Sequence, residues 1–246
     1  MVTPEPAASS DAAKEIVRRG WDQVSTIYRP PASTADVFGH SFLDYEDWLH
    51  PLVHRLPRNS AVLDLGCGCG IPVARELSQH FQVTGVDISD VQIRRARLLV
   101  PNARFVPADM TRIRFPTEVF AGITCLYALI HVPLAEQGGL LGRMYDWLVP
   151  GGILLVTTGE TAWTGMEENW LGSGAPMYWS HDDSASYARW LREIGFSVLE
   201  RRTIPEGESA HALFLAQRPG RTPTGGRPGE VDVPLAEVPA DRHEID

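Results

Sequence analysis

The stretch Val62-Leu63-Asp64-Leu65-Gly66-Cys67-Gly68-Cys69-Gly70 constrains this chain more than any other. Ala61–Leu65 is an apolar run of strand length, three glycines follow at alternate positions, and a helical pattern begins at Ile71. A buried strand that turns through glycines into a helix presents backbone N–H groups at the carboxyl edge of a sheet, where a ligand can approach closely.

The segments that follow repeat the same alternation. Strand patterns fall at Gln82–Asp87, Arg104–Pro107, Val119–Leu126 and Ile153–Thr158, with two more near 196–204 and 210–217. Helical patterns lie between them: Ile71–Gln79 with Pro72 in its first turn, a segment opened by the capping box Ser89-x-x-Gln92, a segment marked by Leu140, Met144 and Leu148, and Ser184–Ile194 ended by Gly195. Ahead of them, residues 12–28 and about 41–56 read as amphipathic helices, the second kinked or divided by Pro51. The alternation predicts one α/β domain, a Rossmann-like and mostly parallel sheet with helices on both faces. We divide it into an N-terminal helical cap over 1–58, a core over 59–218 and an aromatic-rich insertion over 159–182 after the fifth strand. Residues 219–246 hold five prolines and four glycines without apolar periodicity and read as a disordered tail.

Charge and cysteine content narrow the function. The formal net charge is −9, and only −3 of it lies in the tail from Pro219 onward, so the body itself is acidic. That disfavours a nucleic-acid partner. Three cysteines, at 67, 69 and 125, give no disulfide framework. Cys67 and Cys69 lack a second ligand pair, and Pro51 interrupts the His50/His54 spacing, so no metal is expected. The opening residues do not read as a signal peptide, and no apolar run is long enough to span a bilayer, so a cytoplasmic protein without membrane attachment is expected.

The glycine turn alone is compatible with dinucleotide binding, but its details point elsewhere. Ile71 stands where the dinucleotide fingerprint has its third glycine, Pro72 offers no N–H, and Asp64 would repel a pyrophosphate while suiting a cation. Asp64–Gly70 resembles the D/E-x-G-x-G-x-G motif of class I S-adenosylmethionine-dependent methyltransferases. The resemblance continues through Val83–Ser89, Ala108-Asp109-Met110 and Leu148-Val149-Pro150-Gly151-Gly152, and spans roughly residues 12–218. It implies a seven-stranded sheet with its last strand antiparallel, and S-adenosylmethionine as cofactor. By the same resemblance Asp64 lies near the methionine portion, Gly66, Cys67 and Gly68 pack on the cofactor, and Asp87 binds the ribose. Ile88 then lies against the adenine, Asp109 accepts the adenine amino hydrogen, Met110 covers the ring, Leu126 offers backbone to the methionine end, and Tyr28 closes over the site. Singly, Asp87 and Asp109 read as ordinary caps of turns or helices.

Two histidines are candidates for catalysis. His131 follows the fourth strand and acts either as a general base or in ordering the cofactor; His181, at a loop-to-helix junction, is the second candidate. Trp163, Met166, Trp170, Met177, Tyr178 and Trp179 of the insertion form either an acceptor wall or plain core. The expected function is methyl transfer to a small-molecule acceptor, as in tailoring of a bacterial secondary metabolite, by a monomer or homodimer. A cyclase or pericyclase using the same cofactor site is the alternative.

Overall fold

The computed structural model describes residues 9–30, 35–36, 39–207 and 209–221. The expected tail therefore lies, from residue 222 onward, outside the described residues. Two helices open the chain, α1 (Ser10–Tyr28) and α2 (Phe42–Arg55). Then come β1 (Ala61–Leu65), α3 (Val73–Leu77), β2 (Gln82–Asp87), α4 (Asp90–Leu99), β3 (Arg104–Pro107) and β4 (Phe120–Cys125). After β4 come a short 3-10 turn (Leu129–His131), α5 (Leu134–Trp147) and β5 (Leu148–Gly159). The chain continues with β6 (Trp163–Glu167), β7 (Met177–His181), α6 (Ser184–Ile194), β8 (Ser197–Glu206) and β9 (Ser209–Gln217). Seven strands form one sheet in the order β3-β2-β1-β4-β5-β9-β8, and β6 pairs with β7 separately. Strands β3, β2, β1, β4 and β5 run parallel, and β9 is antiparallel to both its neighbours.

Strand alternation sorts the core into two layers. Val62 of β1 packs with Ile153 and Leu155 of β5 beneath α2, α3 and α4, whereas Leu63, Leu65, Ile123 and Cys125 face α5 and α6. Tyr45, Trp48, Leu49, Leu52 and Leu56 of α2 belong to the first layer. The expected N-terminal cap thus divides: α2 is a layer helix of the core that contributes Tyr45 to the cleft, and α1 lies over that cleft. Helix α2 runs through Pro51 unbroken. Its start at Phe42 is fixed by a capping box, with Ser41 and Asp44 satisfying each other's backbone donors.

Helix α1 is held at two sides. On one, Ser89 Oγ donates to Asp22 (2.7 Å), Ser25 Oγ donates to Gln92 (2.6 Å), and Arg95 donates to the carbonyl of Arg29 (2.7 Å). The Ser89 hydroxyl accepts from Gln92 N as the capping pattern predicts, but the Gln92 side chain turns to α1 instead of back to Ser89. On the other side, Gly20 sits where a Cβ would lie 2.7 Å from Met177 Cε and 2.9 Å from the Pro176 carbonyl, so only glycine lets α1 press on β7. Val17, Val24, Trp170 and Met177 form the resulting third apolar cluster.

Three further expectations are adjusted. The Ile71–Gln79 helix is shorter, because Pro72 is its N-cap residue and the regular turns begin at Val73. Strand β5 starts at Leu148, with Pro150 and Gly151 inside it, where the sheet register shifts opposite Phe120/Gly122. The insertion is a two-stranded hairpin, and its aromatic residues divide: Trp170 and Met177 are buried while Trp163 and Met166 are exposed.

Candidate active site

The strand order reverses between β1 and β4, so the loops after those strands diverge and leave a crevice at their carboxyl ends. A cleft of about 770 Å³, counting the space open to solvent at its mouth, lies there, with α1 as its roof. Gly66 has a φ of +70°, and a Cβ on it would stand 2.1 Å from Ala128 Cβ, so the first glycine is required by both conformation and contact. Gly66 N and Cys67 N both donate to the Val86 carbonyl (2.7 and 3.0 Å), which fixes the turn against β2. A Cβ on Gly68 would meet only Gln92 Nε2, at 3.9 Å, so the second glycine opens into the cleft.

Two carboxylates sit at this turn in different states. Asp87, at the end of β2, accepts from Gly68 N through Oδ2 (2.9 Å) and from Ser89 N through Oδ1 (2.8 Å), and it lines the cleft. The capping reading and the binding reading of Asp87 therefore coexist, since each oxygen keeps a second lone pair. Burial pushes its pKa up to about 6, with the backbone donors opposing that shift. Asp64 is more enclosed. Its Oδ1 accepts from Thr124 Oγ (2.7 Å), and its Oδ2 is buried without a hydrogen-bond partner among the described residues. Burial, and then repulsion from Asp87, lift its pKa to about 7 against the opposing Thr124 bond. A buried carboxylate oxygen with no donor is costly, and a cation in the neighbouring cleft relieves that cost. The Asp87 carboxylate and the open glycine turn in the cleft fit a ligand with a polyhydroxylated portion, and the buried Asp64 on the adjoining strand favours a cationic group nearby.

Of the other expected contacts, Tyr28, Cys67, Ile88, Met110 and Leu126 all line the cleft. Asp109 does not. Its Oδ2 pairs with Lys14 Nζ of α1 (2.9 Å), and Oδ1 accepts from Thr111 N (2.7 Å), so here it anchors the roof. Lys14 also reaches Glu136 and Thr111, each at 3.0 Å. The sequence pattern places Asp109 correctly on its loop but carries no sign of Lys14, which approaches from a distant helix.

A second, much smaller chamber, of about 250 Å³ counting the space open to solvent, lies beside the first and shares Trp21, Tyr28, Tyr127 and His131 with it. Ile130, Trp170, Trp179, Glu206 and His211 complete its walls. Of the insertion's aromatic residues, Trp170 and Trp179 thus line a chamber, while Trp163 faces outward at 47% exposure. His131 lies at the junction of the chambers. Its Nδ1 donates to the Tyr178 carbonyl (2.8 Å), and its ring sits 4.3 Å from that of Trp179 and 5.7 Å from that of Trp21. Burial presses its pKa down to about 4, so it is neutral at pH 7 and a weak proton acceptor. This geometry supports ordering: His131 ties the turn after β4 to the hairpin. His181 lines neither chamber. Its Nδ1 donates to the Thr161 carbonyl (2.8 Å), and the ring covers Gly159. The neighbouring strand β9 brings His211 opposite Gly159.

Glu206, His211, His40 and Trp21 were not singled out by sequence reasoning as site residues. His211 could have been found only from the register of β9, and His40 lies outside any regular element. The apolar periodicity of α1 does mark Trp21, without showing which face is roof.

A model of the family described as methyltransferase domain matches residues 38–201. The sterol 24-C-methyltransferase erg-4 of Neurospora crassa is 30% identical over 206 residues, covering 80% of this chain and 49% of that protein. The sterol 24-C-methyltransferase of Saccharomyces cerevisiae is 27% identical, covering 77% of this chain and 52% of that one. The chain therefore spans about half the length of these curated relatives. Among solved structures, the Burkholderia thailandensis 1,6-didemethyltoxoflavin-N1-methyltransferase, with bound 1,6-didemethyltoxoflavin and S-adenosylhomocysteine, superposes with a TM-score of 0.63 at 19% identity, over 88% of this chain and 93% of that one. The [4+2]-cyclase SpnF superposes at 0.64 with 17% identity, over 83% and 95%. These two share the fold, while the family model covers more than half of the sequence, and the chain belongs to the methyltransferase domain family.

Proposed function

We propose that the chain is an S-adenosylmethionine-dependent methyltransferase acting on a small, flat, largely apolar acceptor. The observation that carries this reading is Asp87, which lines the cleft beside the open glycine turn at the carboxyl end of β2, with the buried and unpartnered Asp64 Oδ2 on the adjoining strand β1. Asp64 suits an ammonium group, Asp87 suits vicinal hydroxyls, and Ile88 and Met110 offer apolar surface for a purine. S-adenosylmethionine, when bound, supplies a methyl group activated by a sulfonium. The protein's part is to orient the acceptor and exclude water, and the roof of α1 with the Trp170/Trp179 wall is suited to both.

The sterol enzymes among the relatives suggest an apolar acceptor. The second chamber is walled by the rings of Trp21, Trp170 and Trp179, which suits a flat, compact ring system. We place the acceptor among secondary metabolites and the enzyme in the cytosol. The test is release of S-adenosylhomocysteine, followed by mass spectrometry, with a panel of hydroxylated planar heterocycles and of sterols with an unsaturated side chain. Turnover of the planar compounds is expected. Turnover of sterols alone would refute the acceptor assignment, and product formed without S-adenosylhomocysteine would favour the cyclase alternative.

A further inference from the structure

The outer strands carry an acid and a base to the rim of the second chamber. Because β9 runs antiparallel to β5, its first residues lie at the carboxyl edge of the sheet, and His211 falls opposite both Gly159 of β5 and Ile204 of β8. Glu206, where β8 ends, faces it. Both side chains are about nine-tenths buried, and both line the chamber. Glu206 Oε1 stands 3.2 Å from His211 Nδ1, within ion-pair distance although not aligned as a hydrogen bond. The same oxygen is 3.7 Å from His40 Nε2, and His40 Nδ1 is 3.2 Å from Asp36 Oδ2. His40, between two carboxylates, is thereby held in place beside Glu206. The Nε2 atom of His211 is bound by no protein group among the described residues.

We propose that His211, oriented by Glu206, is the proton acceptor of the second chamber, and that the acceptor molecule presents a phenolic or enolic hydroxyl to it. This rests on the methyltransferase reading above. With Nδ1–H turned to the Glu206 carboxylate, Nε2 holds the lone pair. The acceptor O–H bond breaks, its electron pair stays on oxygen as the nucleophile, and the proton forms the new Nε2–H bond. Glu206 balances the imidazolium charge until the proton passes to solvent. Glu206 is a positioning residue in this scheme, and His211 a catalytic one. The titratable groups facing His211 from its surroundings are Glu206, His40, Tyr127, His131 and His181, with Asp36 behind His40.

A chromophoric phenol tests this without knowledge of the natural acceptor. Para-nitrophenol is titrated into the full chain, with and without S-adenosylhomocysteine, at a pH below its own pKa, and the phenolate absorbance of the bound form is read. The dyad predicts that bound phenol is ionised, that His211→Gln lowers the ionised fraction at least tenfold while phenol still binds, and that His181→Gln leaves it unchanged. Glu206→Gln, which keeps shape, is expected to lower the ionised fraction and displace its pH dependence; it decides the matter if His211→Gln fails to fold. Phenol that does not bind, that binds neutral to the wild type, or that ionises equally in His211→Gln or Glu206→Gln overturns the proposal. Calorimetry with S-adenosylhomocysteine on the same sample reports on the cofactor reading separately: ionised phenol with no cofactor binding would overturn that reading and leave the dyad standing.

Discussion

Replacing Asp64 by asparagine separates what the ligand requires from what the fold tolerates. In the wild type the folded state holds the Asp64 proton more tightly than the unfolded chain, with a pKa of about 7 against 3.8. Below 3.8 both states are protonated, and the favourable contribution is whole. As pH rises, the unfolded chain ionises first, so folded stability declines until the folded pKa is passed. At ~1.4 kcal/mol per pKa unit, that decline amounts to about 2.5 kcal/mol between about pH 5 and 8. An amide at this position cannot ionise, so Asp64→Asn escapes the decline, whatever fixed cost the amide incurs beside Thr124. Thermal unfolding at the two pH values should show the variant gaining on the wild type by that amount as pH rises, equivalent to about 5–10 °C in Tm. S-adenosylmethionine affinity should move the other way: the wild type should bind about tenfold more weakly per pH unit below about 7, and Asp64→Asn weakly throughout. A Tm difference that does not change with pH, or an affinity untouched by the substitution, would refute the argument.

Substitution of Lys14 by Met leaves Asp109 and Glu136 facing each other without their shared cation, and should cost about 2–4 kcal/mol in urea denaturation and expose α1 to proteolysis. An unchanged midpoint would mean the roof is held by apolar contacts alone. Trp170→Ala should destabilise by about 3–5 kcal/mol, since its ring is buried between α1 and the hairpin. Trp163→Ala should stay within ~0.5 kcal/mol of wild type, because that ring faces solvent; equal losses in both variants would contradict the two orientations.

The central part of this fold is legible in the sequence because its signals are local. A buried strand, a glycine turn and a helix occupy one contiguous stretch, and the carboxylates of Asp64 and Asp87 keep fixed offsets from it. Cleft residues such as Ile88, Met110 and Leu126 follow from the ends of consecutive strands. What stays hidden depends on partners distant in sequence. Asp109 looks the same on its loop whether it faces a ligand or Lys14, 95 positions earlier. The placement of His211 at the second chamber turns on one register, that of β9 against β5, and alternation does not encode where a strand pairs. Trp163 and Trp179 face each other's strands in one hairpin, yet one ring is outside and one lines the chamber; only the docking of α1 on β7 distinguishes them.

Isothermal titration calorimetry of the purified chain with S-adenosylmethionine, and separately with NAD, tests the central claim most directly. The Asp87 strand end, with the buried Asp64 on the adjoining strand, predicts saturable, one-to-one binding of S-adenosylmethionine in the micromolar range, and no binding of NAD, whose pyrophosphate would be repelled by these carboxylates and would meet a turn ending in Pro72. Heat from NAD with none from S-adenosylmethionine would contradict the account.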